Sequence, residues 1–223
     1  MSSRAIDLEK LRTELRAMRR GDLLIIAERA AELVPRVKLK TLLGDYLCVD
    51  DLPEAKSRQA PLLKEVQKFY TESLGGRYFE GFAVNSRNCK EHSMGTDAFI
   101  AEFHRLVGKC IRAADAASRN GVREAFELFF RLLQRVDEAD DNVVFFADEA
   151  GSWQVGVQWR TVLPAYFRCL AETASAEEFS RSVDQVIRAF AEHDRPQHLR
   201  TAGKVASAGQ QAALSGMALT LAR

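Results

Sequence analysis

Helix breakers are scarce in this chain, with 5 prolines and 13 glycines among 223 residues. That excludes a collagen-like, fibrous or loop-dominated protein, each of which needs more of both. Charge of one sign is also missing: 32 Lys and Arg face 31 Asp and Glu, a net charge of +1. A dedicated nucleic-acid binder usually shows its basic footprint in such totals, so the balance argues against one. No run of about 18 apolar residues occurs, the length a membrane helix needs. The strongest apolar runs, LLIIA and VVFFA, are short and flanked by charge. The opening MSSRAIDLEKLRTELRAMRRGD is charged throughout and lacks the apolar stretch of a secretory signal. Four cysteines, Cys48, Cys89, Cys110 and Cys169, lie far apart in a chain too large to need staples. Free thiols and a cytoplasmic location are the expectation. No phosphate-binding G-x-x-x-x-G-K-[ST] loop, dinucleotide G-x-G-x-x-G fingerprint or G-x-S-x-G nucleophile elbow is present.

Helical periodicity is abundant. Leu8, Leu11, Leu15 and Met18 recur at helical spacing, with Gly21 as a stop and Asp22 as the next N-cap. A second helix over Leu23, Ile26, Ala30 and Leu33 ends at Pro35, and a third holds Val37 to Tyr46. After a polar connection around Pro53, a helix over Leu62, Val66, Phe69 and Tyr70 runs to Gly75-Gly76. Residues 77–96 carry no clear period and form the longest irregular segment. Thr96 caps a long helix with Phe99, Phe103, Leu106, Val107 and Cys110 on one face; Asn120-Gly121 breaks it. The helix from Val122 to Glu138 buries Phe126, Phe129, Phe130, Leu133 and Val136, and this Phe-rich pair centres the core. Two further helices cover Val162–Leu170 and Phe179–Phe190, the second opened by a Ser175/Glu178 capping box. An Ala-rich tail from Ser207 forms a last helix. Short connections favour antiparallel neighbours. The fold class is therefore all-α: an antiparallel helical bundle or short stack of helix pairs, with about 8–10 helices. It forms one domain over 1–223, within which 1–60 can pack as a subdomain on 61–223.

Residues 140–160, DDNVVFFADEAGSWQVGVQWR, stand apart, because they hold both tryptophans and two acidic pairs. Alternation of Trp153, Val155, Val157 and Trp159 fits a hairpin. A short helix capped by Asn142 and closed by Gly151, then an irregular link, is preferred, since a lone hairpin needs a sheet partner. Asp148, Glu149, Trp153, Trp159 and Arg160 form the candidate interaction surface, with rings for contact area and charges for specificity. The competing view puts Phe145, Phe146 and Trp153 in the core, with the acids solvated. The run FFADEAGSWQ, with AFELFFRLL and TESLGGRYFEGF, resembles segments shared by uncharacterised bacterial all-helical proteins, across about residues 70–172. The resemblance implies a bacterial helical protein and no activity.

Cys89 and His92 have the C-x2-H spacing of half a zinc site. A structural zinc needs four ligands, and Cys48, Cys110 and His104 could be recruited only through the fold. No metal or cofactor is expected. His193-Asp194 is similar to the dipeptide of HD-type phosphohydrolases, whose later aspartate has no counterpart here. His193, Asp194 and His198 instead read as a helix end before Pro196, where the dipole favours a cationic imidazole. Glu124 and Glu127 resemble the E-x-x-E pair of all-α nucleotide pyrophosphohydrolases, but Glu172, Glu177 and Glu178 do not supply the second pair. Arg12, Arg16, Arg19 and Arg20 make the first helix basic without interleaved aromatics, which fits a solvated face or a subunit contact, including a homodimer. The leading expectation is a non-enzymatic helical interaction or scaffold module for an unknown protein partner. Its surface is the 140–160 segment with the adjoining 77–96 loop. The alternative is a metal-dependent hydrolase of a small phosphorylated or nucleotide substrate, with carboxylates brought together by the fold.

Overall fold

A computed structural model describes residues 7–34, 36–43, 46, 62–115, 119–138, 143–147 and 151–220. Among them the regular structure is ten α-helices and no strand. These are α1 (Leu8–Ala17), α2 (Arg20–Leu33), α3 (Arg36–Leu43), α4 (Leu62–Leu74) and α5 (Met94–Ala113). They are followed by α6 (Asn120–Glu138), α7 (Trp159–Thr173), α8 (Ala176–Phe190), α9 (Arg195–Val205) and α10 (Ala208–Thr220). Single 3₁₀ turns lie at Ser152–Val155 and Glu192–Asp194. The polar connection around Pro53, with Cys48, lies outside the described residues.

Helix ends follow local chemistry. Ser93 opens α5 by accepting the Thr96 amide at 3.0 Å, and Ser175 opens α8 by accepting the Glu178 amide at 3.2 Å. Each bond satisfies an amide that has no partner within its own helix. α4 closes on Gly76 at φ 78°, with Arg77 N–H bonded to the Glu72 carbonyl and Gly76 N–H to that of Ser73. That left-handed residue is where glycine carries no side-chain penalty. Gln210 links α10 to the end of α7, donating to the Ala171 and Ala174 carbonyls at 3.0 and 3.1 Å.

The core lies where α5 and α6 meet. Phe99, Phe103, Phe126 and Phe129 are buried, and Phe103 meets Phe129 edge-on at 4.9 Å. α4 adds Phe69, while α7 and α8 add Leu163, Phe167, Leu170, Phe179, Val183 and Ile187. Helices pack in pairs, α2 on α5, α4 on α6, α7 on α9 and α8 on α10.

Four sequence expectations need correction. The break between α1 and α2 falls at Met18-Arg19, not at Gly21. Gly21 sits inside α2 and faces α5, where a Cβ would come 2.9 Å from an Asp97 carboxylate oxygen, so this glycine allows close approach rather than a stop. Thr96 is not the cap of α5. It lies one turn in, and its hydroxyl is used elsewhere. Residues 143–147 are not helical, against the short helix expected there, while 151–158 form a 3₁₀ turn and the irregular link preferred to a hairpin. Pro196 stands in the first turn of α9, where its missing N–H has no intrahelical partner to lose, so it starts a helix instead of following one.

Candidate functional site

The structure joins the two irregular segments singled out in the sequence. Phe145 packs between Phe79 and Phe82, at ring-centre distances of 6.0 and 5.1 Å, both edge-on. The Thr96 hydroxyl donates to the Phe145 carbonyl at 2.6 Å, and His92 and Phe146 form an isolated antiparallel bridge. The loop supports itself through asparagines. Asn88 accepts the Asn85 amide at 2.7 Å and donates to the Ala83 carbonyl at 2.9 Å, substituting side-chain bonds for a ladder. Glu80 crosses to the Gly95 amide at 2.8 Å, where a Cβ would lie 2.5 Å from the Tyr78 carbonyl.

The 3₁₀ turn is held at both ends. Asp137 of α6 accepts the Ser152 amide at 2.7 Å and its hydroxyl at 2.8 Å. His104 of α5 bonds the Val155 carbonyl at 2.7 Å, so its Nε2 carries the proton there. Between these anchors Trp153 is 69% exposed, its indole lying over Gly151, where a Cβ would meet the ring at 2.6 Å. Phe79, Val84 and Met94 are also exposed, at 40%, 46% and 64%. Beside the turn, α2 roofs a cleft of about 290 Å³ lined by Met18, Asp22, His92, His104 and Gln154. Within it His92 Nδ1 lies 3.4 Å from the buried Asp97 carboxylate.

The candidate residues separate. Trp153 reaches solvent. Trp159 opens α7 and stacks on Phe190 at 5.0 Å and 18°, also touching Phe130. Arg160 makes a two-pronged pair with Asp194, at 2.9 and 3.1 Å. Asp148 and Glu149 lie outside the described residues, as does Asn142. Cys89 Sγ faces the Ser86 carbonyl at 3.9 Å while His92 faces Asp97 and Phe146, so each half of the C-x2-H pair has its own partner. Among the described residues no group of three or more His, Cys, Asp or Glu is placed to hold a metal ion.

Of the carboxylates weighed for hydrolysis, Glu127, Glu172, Glu178 and Asp194 are held by arginines, whereas Glu124 accepts from the Gln67 side-chain amide at 3.5 Å. Arg123 pairs with both Glu127 and Glu178, Arg119 with Glu172, and Arg160 with Asp194. Glu178 and Asp194 titrate below their ordinary range, first because of the guanidinium hydrogen bonds from Arg123 and Arg160. His198 is buried in α9 rather than cationic at a helix end. Burial lowers its pKa, against the opposing pull of Asp194. Sequence reasoning missed Asp97 and Asp137, and took His104 only as a residue the fold could recruit to a metal. Asp97 and His104 share one face of α5, but the residue between them on that face is the apolar Ile100, so no local polar pattern marks either as an anchor. Asp137 had no signal, since only the fold brings it to Ser152. No protein-family model, curated protein or solved structure matches the chain.

Proposed function

We propose that this chain is a non-catalytic protein-recognition module whose surface is built from loop 79–92 and the turn at 151–158. The observation that carries the reading is Trp153, a large ring held in solvent on a turn anchored to α6 and α5. An aromatic side chain brings much contact area with few rotatable bonds, and an anchored backbone leaves little entropy to lose on binding. Phe79 and Val84 of the loop and Met94 at the start of α5 add apolar surface. Asp148 and Glu149, close to Trp153 in sequence, supply the charge that selects a partner. The cytoplasm is the proposed compartment. The hydrolase alternative rests on the Glu124 and Glu127 pair, of which Glu127 is already engaged by Arg123, while Glu172, Glu178 and Asp194 are likewise paired with arginines.

The test is photo-cross-linking in cells of the native organism, with a photoreactive phenylalanine analogue at position 79. A discrete adduct with one protein is expected. It should be lost when Trp153→Ala or Asp148→Asn with Glu149→Gln is added, while the thermal melt of each variant stays within a degree or two of the parent. Adducts unchanged by these substitutions, or metal-dependent phosphate release from a nucleotide panel, contradict the reading.

A further inference from the structure

A second cleft, of about 190 Å³, opens between α6 and α8 and shares no lining residue with the one beside α2. Its floor is aromatic. Phe130 and Tyr166 meet edge-on at 4.9 Å, and Phe190 tilts against Phe130 at 5.9 Å. Phe130 and Tyr166 are almost fully covered, so the floor is preformed rather than assembled around an occupant.

The polar lining is asymmetric. Glu127 is the carboxylate of the lining, and it is engaged: its Oε1 accepts Arg123 Nε at 2.8 Å and the Tyr166 hydroxyl at 3.4 Å. Arg131 follows one helical turn later on α6. Its Nε reaches the Glu127 backbone carbonyl at 3.4 Å, and among the described residues no carboxylate pairs with its guanidinium. Gln134 and Gln185 add amide donors to the same lining. A ring fits the floor, and an anion fits the donors. An ammonium would have to compete with Arg123 for Glu127.

We propose that this cleft binds a small aromatic carboxylate, with the ring on Phe130, Tyr166 and Phe190 and the carboxylate paired with Arg131. The volume is below the roughly 300–1,000 Å³ of sites for drug-sized ligands, which limits the occupant to one ring on a short chain. A planar guanidinium matches a carboxylate fork-to-fork, while the ring gains area and edge-to-face contacts. This inference is independent of the recognition surface, and neither depends on the other.

Trp159 stacks on Phe190 and therefore reports on the floor. Trp153→Phe leaves Trp159 as the only tryptophan of the two in the chain. The probes are 3-phenylpropionate, its uncharged amide, phenethylamine and acetate, titrated with Trp159 emission and melting temperature as paired readouts. 3-Phenylpropionate is expected to shift both saturably. Arg131→Gln and the amide should each weaken binding by about tenfold, the worth of one charge-assisted pair. Acetate should shift neither. Val186→Phe, which adds bulk to the lining without adding a tryptophan, should abolish the response. No response in either readout at millimolar 3-phenylpropionate would overturn the proposal. So would phenethylamine binding as well as the acid, or an acid response unaltered in Arg131→Gln.

Discussion

Gly95 illustrates how a single residue decides the site. A Cβ there would lie 2.5 Å from the Tyr78 carbonyl and 3.1 Å from Glu80 Cβ, and the first obstacle is backbone that cannot swing aside. Gly95→Ala should therefore cost about 1–3 kcal/mol, the range for overpacking a tight contact, read as a lowered urea midpoint. Gly151→Ala differs, because the obstacle is the exposed Trp153 ring, and its φ of 172° is extended backbone open to any residue. The cysteines divide in the same way. Burial raises the pKa of Cys110 to about 12 and of Cys169 to about 11, so neither is a thiolate at neutral pH. Brief iodoacetamide treatment of the native protein should alkylate the half-buried Cys89 well ahead of Cys110 and Cys169, by peptide mass spectrometry. Reading Cys110 as a small core hydrophobe from its place on an apolar helix face agrees with this. Reading Gly21 as a stop does not, because glycine at a helix crossing and glycine at a helix end look alike without the partner helix.

Elements legible in the sequence are those whose signal is local. The apolar stripes of α5, α6, α7 and α8, the Ser175 cap and the glycine end of α4 all lie within a few residues of what they specify. The segment at 143–147 was illegible because tertiary partners decide it: Thr96, His92 and the rings of Phe79 and Phe82 hold it in an irregular path. α9 carries a pH dependence of its own. His198 is buried with Nε2 unpartnered, and burial lowers its pKa below the ordinary 6.5. Asp194 opposes the shift, while His193 and Arg160 add to it. The unfolded chain then binds a proton that the folded chain refuses. Stability from this group is complete above about pH 6.5 and is lost as pH falls below it. Denaturant unfolding should show wild type losing more stability from pH 7.5 to 5.5 than His198→Gln does. The depressed carboxylates Glu178 and Asp194 act in a lower window, below their ordinary values near 4, and leave that comparison undisturbed.

At the scale of the molecule, helices form the core, and an irregular seam between α4, α5, α6 and α7 forms the candidate surface. The all-α class followed from period alone. The surface followed only in outline: composition marked 77–96 and 140–160, but their interlocking and the anchors Asp137 and His104 come from distances in sequence that no local pattern reports. The seam is held by side-chain hydrogen bonds and packed rings. Elemental analysis should accordingly find no stoichiometric zinc, and a chelator should leave the melt unchanged, whereas a structural zinc contributes on the order of 10 kcal/mol. Trp153 is at once exposed and carried on a turn anchored to α5 and α6. Time-resolved fluorescence anisotropy of a Trp159→Phe variant isolates its ring, since the chain has 2 tryptophans. Strong quenching by iodide is expected, together with an anisotropy decay dominated by tumbling of the whole molecule. Fast, large-amplitude local rotation of Trp153 would contradict that anchoring.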